Sequence, residues 1–122
     1  MSATQVLSEY VSNLKFEKIP GDIVQFVKTA ILDSVGNMLG AVKTPEVRAL
    51  HNAILEYDKT QDATIIGLGT KVSAPTAAFV NATTMESRDY TGCGADIELL
   101  SVTVPSAMAL GEKHKIDGRM LI

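Results

Sequence analysis

Residues 73–110 read SAPTAAFVNATTMESRDYTGCGADIELLSVTVPSAMAL, and this segment contains the features that most constrain the fold and the function of the chain. Two helical patterns rich in small apolar residues flank a polar, glycine-containing break at residues 89–98. The break carries an acid, a tyrosine, a threonine and a cysteine. Polar residues in a loop that packed helices hold in place are well positioned for binding and catalysis. This break is therefore the first candidate for a functional site.

The first flanking helix has clear boundaries. Ser73 is its predicted N-cap, and Pro75 lies in its first turn, where a missing N–H is tolerated. Asn81 in its middle is either a buried hydrogen-bonding group or a surface residue. The helix is predicted to end near Arg88 and Asp89, where the polar break begins.

The second flanking helix follows the break. Ser101 or Thr103 is its predicted N-cap, with Pro105 in its first turn. Its basic end, which contains His114, suits the negative pole of the helix dipole, and this explains the histidine better than catalysis does.

Three further amphipathic patterns precede residue 73. They cover residues 2–14, residues 22–39 and a helix that begins at Thr44 and Pro45. Residues 63–67 are β-branched and bounded by turn residues, which predicts one short extended segment. The sequence therefore predicts an all-α helical bundle that forms a single domain over residues 1–122.

The amino-acid composition and the net charge exclude several classes of protein. Of the 122 residues, 46% are hydrophobic and 20% are charged, which is typical of a globular protein. A net charge of −3 argues against nucleic acid as a partner. The single cysteine excludes an internal disulfide and fits a reducing compartment, and no apolar run approaches the ~18 residues that span a bilayer. We expect a cytoplasmic protein that does not bind membranes.

Isolated residues of chemical interest are better explained by structure. His51 has only His114 as another histidine, and a metal site needs several ligands together, so we expect no metal site. Cys93 would need a nearby base or cation to become a nucleophile, and Arg88 is the only cation close in sequence. The final residues, 117–122, look like the start of a helix, so we expect a fragment of a longer helical domain.

Three segments carry a likeness to a known family. LDSVGNMLGAVKTPEVRAL (32–50), DATIIGLGTKVSAPTAAFVNATTMESRDY (62–90) and VPSAMALGEKHKIDGRMLI (104–122) resemble, in this order, the N-terminal helical domain of the MmgE/PrpD family. The family contains 2-methylcitrate dehydratases, cis-aconitate decarboxylases and iminodisuccinate epimerases. Its members add more helices and a separate α+β domain, which these 122 residues do not contain.

The resemblance implies a reaction class. Members of the family catalyse acid/base reactions on small polycarboxylates such as 2-methylcitrate, without a cofactor. These reactions are elimination of water, decarboxylation, or epimerisation at a carbon beside a carboxylate. Such a reaction needs a base, an acid and clamps for the carboxylates. The family's later catalytic lysine and histidine would lie beyond Ile122.

The family motif at the break is Asp-aromatic-Asp-Asp-Thr followed by a histidine. Asp89 and Tyr90 match its first two positions, which implies a catalytic role for Asp89 and substrate binding for Tyr90. Residues 91–93, Thr-Gly-Cys, depart from the motif, and Glu98 or Leu99 occupies the histidine position. The alternative for Asp89 is a residue that ends the helix and caps the turn backbone.

Three functions remain open at this point. The first is the N-terminal part of a lyase that is inactive as this short chain, and the second is an epimerase or isomerase of the same family. The third is a non-catalytic helical module for dimerisation or partner binding, which the altered break favours. In each case we expect a homo-oligomer or pairing with a missing segment.

Overall fold

The computed structural model describes residues 2–90 and 99–122. Over these residues the chain forms six α-helices, one short 3₁₀-helix and one two-stranded antiparallel sheet. The elements, in chain order, are α1 (Ala3–Asn13), a 3₁₀-helix (Phe16–Lys18), α2 (Gly21–Ala41), α3 (Pro45–Tyr57), β1 (Ala63–Thr64), β2 (Lys71–Val72), α4 (Ala74–Glu86), α5 (Leu100–His114) and α6 (Gly118–Leu121). Helices account for 71% of the described residues, so the predicted all-α class is confirmed.

Helix α4 is the central element. Its residues are mostly small, so α2, α3 and α5 can all pack closely around it. The main hydrophobic cluster joins α4 to α3, α5 and the sheet, and its buried members are Ile54, Ala63, Ile65, Val72, Ala74, Ala77, Val80 and Ala109. Removal of this apolar surface from water is the main force that holds the described residues together.

The extended segment predicted at 63–67 lies where expected but is shorter. Only Ala63 and Thr64 form strand β1, and they pair with Val72 and Lys71 of β2. The sequence did not predict β2. The turn between the strands contains Gly67 with a φ of 82°, a left-handed conformation that side chains with a Cβ disfavour.

Capping hydrogen bonds are present at the starts of α1 and α6. The Ser2 hydroxyl accepts a hydrogen bond from the Gln5 N–H at 3.3 Å, and the Gln5 side chain accepts one from the Ser2 N–H at 2.8 Å. Asp117 caps α6 in the same way, through the N–H groups of Arg119 and Met120, both at 3.0 Å. Local capping chemistry was therefore readable from the sequence.

The predicted start of α5 was wrong. The helix begins at Leu100 with Leu99 as its N-cap, so neither Ser101 nor Thr103 is a cap and Pro105 lies inside the helix. The Thr103 hydroxyl donates to the Leu99 carbonyl at 2.7 Å, which a side chain within the first turn can do. Pro105 is buried against the neighbouring elements, and this packing offsets its poor helix propensity.

Two residues pack differently from what their sequence positions predict. The apolar spacing of α3 predicts Tyr57 on its inner face, but its side chain is 71% exposed. A glycine inside a helix, such as Gly36, predicts close approach of a neighbouring helix, but a Cβ added there would meet nothing within 4 Å in the described structure. In helix α1 no residue is buried, so its apolar stripe faces solvent.

Candidate functional site

The candidate site lies where α4 ends. After Glu86 the chain turns, and Asp89 adopts a left-handed conformation with a φ of 54°. The Asp89 N–H donates to the Glu86 carbonyl at 2.9 Å, so the backbone of Asp89 closes the turn. Its carboxylate is exposed and forms no hydrogen bond within residues 2–90 and 99–122. The turn-ending role therefore belongs to the backbone, and the side chain is left available.

Tyr90 follows on the surface, with its side chain 70% exposed. Its carbonyl accepts a hydrogen bond from Asn37 Nδ2 of α2 at 3.4 Å. The same Asn37 nitrogen donates to Asp33 Oδ2 at 3.2 Å. Helix α2 thus braces the turn that presents Asp89 and Tyr90. Sequence reasoning missed Asn37, because its only signal was a polar residue at the edge of an apolar helical face.

Charged groups surround this end of α4. Arg88 is exposed and sits directly before Asp89. The pKa of Glu46, in the first turn of α3, is lowered. The causes are hydrogen bonds from its own backbone N–H and from the Thr44 hydroxyl, together with the positive charge of Arg88. The start of α3 and the end of α4 are therefore neighbours, and an anionic ligand at Asp89 would meet both a cation and a carboxylate.

The remaining residues of the predicted motif lie outside the described residues. These are Thr91, Gly92 and Cys93, and Glu98 at the position of the family histidine. Leu99, the other residue at that position, begins the next described segment as the N-cap of α5.

Neither histidine lies at this end of α4. The His51 Nε2 atom is 3.1 Å from the Thr70 hydroxyl in the β1–β2 turn, and the ring is half-buried. His114 lies in the last turn of α5, next to Lys113, which pairs with Asp62 at 2.9 Å. Within the described residues, no three His, Cys, Asp or Glu side chains are grouped so that they could hold a metal ion.

A second polar cluster connects the sheet to α5. Glu112 accepts hydrogen bonds from the Thr64 N–H and hydroxyl, both at 2.7 Å, and pairs with the Lys71 ammonium at 2.8 Å. Burial works to raise the pKa of Glu112, but the bonds from Lys71 and Thr64 outweigh it and lower the pKa. A pocket of about 350 Å³ lies beside this cluster, and Asn81, Met108 and Ile116 line it. Because Glu112, Thr64 and Lys71 already pair with one another, we assign this cluster a structural role.

A third cluster centres on Asp58. Its carboxylate accepts hydrogen bonds from the Ser73 hydroxyl at 2.7 Å, the Ser73 N–H at 3.1 Å and the Thr60 N–H at 3.0 Å. Hydrogen bonds from Thr76, Ser73 and Thr60 hold the pKa of Asp58 far below its usual range. Asp58 thus joins the start of α4 to the end of α3, and we assign it a structural role.

Comparison with known proteins assigns the chain to a family. The sequence model of the MmgE/PrpD N-terminal domain matches residues 5–122, which is almost the whole chain. The chain belongs to the MmgE/PrpD family. The resemblance and the all-α N-terminal domain that it implied are therefore confirmed.

Relatives of this MmgE/PrpD chain are distant. Two curated proteins named cis-aconitate decarboxylase, one from Aspergillus terreus and one from a strain of that species, are 22% identical to it over 120 residues. The match covers 97% of this chain and 24% of each relative, so the chain spans about a quarter of the length of these relatives. No solved structure matches the chain significantly. In the described residues, no helix is both long and apolar enough to cross a bilayer.

Proposed function

We propose that this chain is the N-terminal helical part of a cofactor-independent lyase that acts on a small polycarboxylate. The observation that carries the proposal is the family match over residues 5–122, together with relatives named cis-aconitate decarboxylase. Asp89 is the proposed acid/base residue and Tyr90 the proposed substrate-binding residue. The proposed reactions are dehydration of a substrate such as 2-methylcitrate, or decarboxylation. We place the protein in the cytoplasm, in keeping with its single cysteine.

The geometry at Asp89 supports this assignment. A group that moves a proton must reach the substrate, and the Asp89 carboxylate is exposed at the end of a buried helix. Because the backbone already closes the turn, substrate binding would break no hydrogen bond of this side chain within the described part of the chain. The bond between Asn37 and the Tyr90 carbonyl limits the movement of the turn, and a fixed geometry favours catalysis.

The 122 residues should nevertheless show no turnover on their own. Proton abstraction beside a carboxylate needs a second acid/base group and a carboxylate clamp, and residues 91–93 depart from the family motif. Loss of one acid/base group typically lowers the rate by 10²–10⁴-fold. Loss of two should bring turnover close to the background rate, although such losses need not multiply.

A second candidate is a non-catalytic helical module for dimerisation or partner binding. The observation that favours it is the amount of exposed apolar surface in the described structure, which includes the whole stripe of α1. An epimerase of the same family would use the same residues as the lyase, so only product analysis separates the two.

The first experiment is an activity assay by proton NMR. The 122-residue chain is incubated with 2-methylcitrate, citrate, cis-aconitate or iminodisuccinate, and loss of substrate is followed. We expect no turnover above the buffer control. Robust turnover that Asp89→Asn abolishes would show that the short chain is a complete catalyst. Asparagine adopts the left-handed region readily, so this variant preserves the turn.

The second experiment measures binding by NMR titration of the labelled chain with the same compounds. We expect weak binding that shifts the amide signals of Asp89 and Tyr90 and that Tyr90→Phe weakens. The matched control is Tyr57→Phe, because Tyr57 is 71% exposed and Tyr90 is 70% exposed. Shifts spread over the whole chain, or an equal effect of the control, would assign binding elsewhere and favour the module.

A further inference from the structure

One side-chain amide joins helix α2 to the turn that follows α4. The Asn37 Nδ2 group donates to Asp33 Oδ2 at 3.2 Å and to the Tyr90 carbonyl at 3.4 Å. A primary amide carries two N–H groups on this nitrogen, so each acceptor can receive one of them. Asp33 lies one helical turn before Asn37 on the same side of α2. The amide is therefore a bridge between a carboxylate of α2 and the backbone of the turn that contains Asp89.

The two neighbours of this amide determine which side chain can occupy position 37. The Asp33 carboxylate and the Tyr90 carbonyl are both acceptors, so the group between them must donate two hydrogen bonds. If the Asn37 amide turned over, its own oxygen would face both acceptors, and the Asp33 carboxylate opposes this orientation most strongly because it is charged. Asp33 thus fixes the orientation in which Asn37 donates to Tyr90.

Buried residues anchor both elements that the bridge connects. Ser34 and Met38, which lie on either side of Asn37 along α2, are fully buried. Thr84 and Met85 in the last turns of α4 are also buried, and the two helices pack directly against each other. A side chain held on a packed helix is a more precise support than one held on a loop. The amide therefore connects the turn to a fixed part of the fold.

Two hydrogen bonds enclose Asp89. The Asp89 N–H donates to the Glu86 carbonyl at 2.9 Å, and the carbonyl of the next residue, Tyr90, accepts from Asn37. Between these bonds Asp89 has a φ of 54°, a conformation that residues with a Cβ adopt reluctantly. The position of its exposed carboxylate follows from both bonds. At 3.4 Å the Asn37 bond is longer than the usual 2.9–3.0 Å, so we expect its loss to have a moderate effect.

We propose that Asn37 and Asp33 are positioning residues of the candidate site. Asp33 orients the Asn37 amide, and the amide holds the Tyr90 carbonyl so that Asp89 keeps its left-handed conformation. Neither residue contacts the ligand, which is a small polycarboxylate. The consequence for binding rests on the proposed function, whereas the link between α2 and the turn does not depend on any ligand.

Hydrogen exchange of the labelled 122-residue chain, followed by NMR without ligand, tests the link. Asn37→Leu has a similar volume and no charge, but it removes both donors. We expect the Asp89 amide to exchange at least threefold faster in this variant, while the Thr84 amide is unaffected. Asn52→Leu on the exposed face of α3 is the matched control. Unchanged exchange at Asp89, or an equal increase in the control, would overturn the proposal.

Two variants of Asp33 test its part separately. Asp33→Ala and Asp33→Asn remove the same negative charge, but only the asparagine keeps an oxygen that accepts from Asn37. We expect Asp33→Ala to speed up exchange of the Asp89 amide and Asp33→Asn to stay close to wild type. Equal rates in the two variants would show that Asp33 does not orient the amide.

Titration with citrate tests the consequence for binding. Asn37→Leu should weaken citrate binding about threefold to tenfold, because the ligand must then order the turn itself. Weaker binding with unchanged exchange at Asp89 would overturn the positioning role, since Asn37 would then act on citrate directly. Faster exchange at Asp89 with unchanged citrate affinity would leave the link in place and overturn the binding role of the turn. The two results therefore separate a failure of this proposal from a failure of the proposed function.

Discussion

Asn81 Oδ1 in the middle of α4 accepts a hydrogen bond from the Ile66 backbone N–H at 2.9 Å. The Asn81 Nδ2 group donates to the Thr64 carbonyl at 3.0 Å, so one buried amide satisfies both a donor and an acceptor of the β1–β2 hairpin. This double contact fixes the hairpin to α4. It also places Thr64 where its N–H and hydroxyl reach Glu112 of α5.

The first prediction concerns this amide. Asn81→Leu roughly keeps the volume of the side chain but leaves two backbone groups of the hairpin without their hydrogen-bond partner. The free energy of unfolding should fall by about 1–3 kcal/mol for each of these groups that does not bind water instead. We expect urea unfolding to show a lower midpoint with an unchanged slope. Asn52→Leu on the exposed face of α3 is the control and should change the midpoint little. A wild-type midpoint for Asn81→Leu would show that water replaces the amide.

The second prediction concerns pH. The pKa of Asp58 is lowered in the folded chain, so its ionised form stabilises the fold above the unfolded pKa, near 3.9, and this stabilisation is lost as the pH falls further. Asp58→Asn should therefore lower the melting temperature at neutral pH. The difference between variant and wild type should shrink below about pH 4. Glu56→Gln, on the exposed side of α3, is the control. A constant difference between pH 2 and 7 would contradict the prediction.

The third prediction compares two glycines of the hairpin turn. Both have positive φ, 82° at Gly67 and 70° at Gly69, which costs an alanine about 1–2 kcal/mol. A Cβ at Gly67 would also lie 3.1 Å from a methyl group of the buried Val42, whereas a Cβ at Gly69 meets nothing within 4 Å. Gly67→Ala should thus destabilise the fold by about 1 kcal/mol more than Gly69→Ala. Equal losses in denaturant titrations would show that Val42 moves aside without cost.

The fourth prediction concerns α1. This helix has 11 residues, none of which is buried, and isolated helices of fewer than about 12–15 residues are marginal in water. Its capping box slows fraying but does not replace packing. Hydrogen exchange at low protein concentration should show fast exchange throughout α1 and slow exchange in α4. Protection of α1 equal to that of α4 would mean that its apolar stripe has found a partner.

Part of the candidate site could be found from the sequence. Asp89 and Tyr90 were identified from the family motif at the end of a predicted helix, and the structure places both on the surface there. Their roles stay predictions. Asn37, which braces the turn from α2, lies 53 residues away from Tyr90 in sequence. This hydrogen bond cannot be predicted from a local sequence pattern, because only the packing of α2 brings the two residues together.

Local sequence was sufficient for the helices whose ends are set by neighbouring residues. Ser2, Thr44, Ser73 and Asp117 occupy N-cap positions in the structure. The side chains of Ser2 and Asp117 make the capping hydrogen bonds, whereas Thr44 and Ser73 are each followed by a proline in the first helical turn. Helix boundaries of this kind depend on backbone groups within about four residues, which a sequence pattern contains. The all-α class followed from the same periodicity.

Tertiary structure alone decided the rest. It buried Pro105 inside α5, left Tyr57 and the α1 stripe in solvent, and gave Asp58 and Glu112 their partners. Each outcome depends on which surfaces meet, and the Thr64–Glu112 bond joins residues 48 apart in sequence. The energy of such a contact comes from removing both partners from water at the same point in space, so no segment of the chain carries it before the helices have packed.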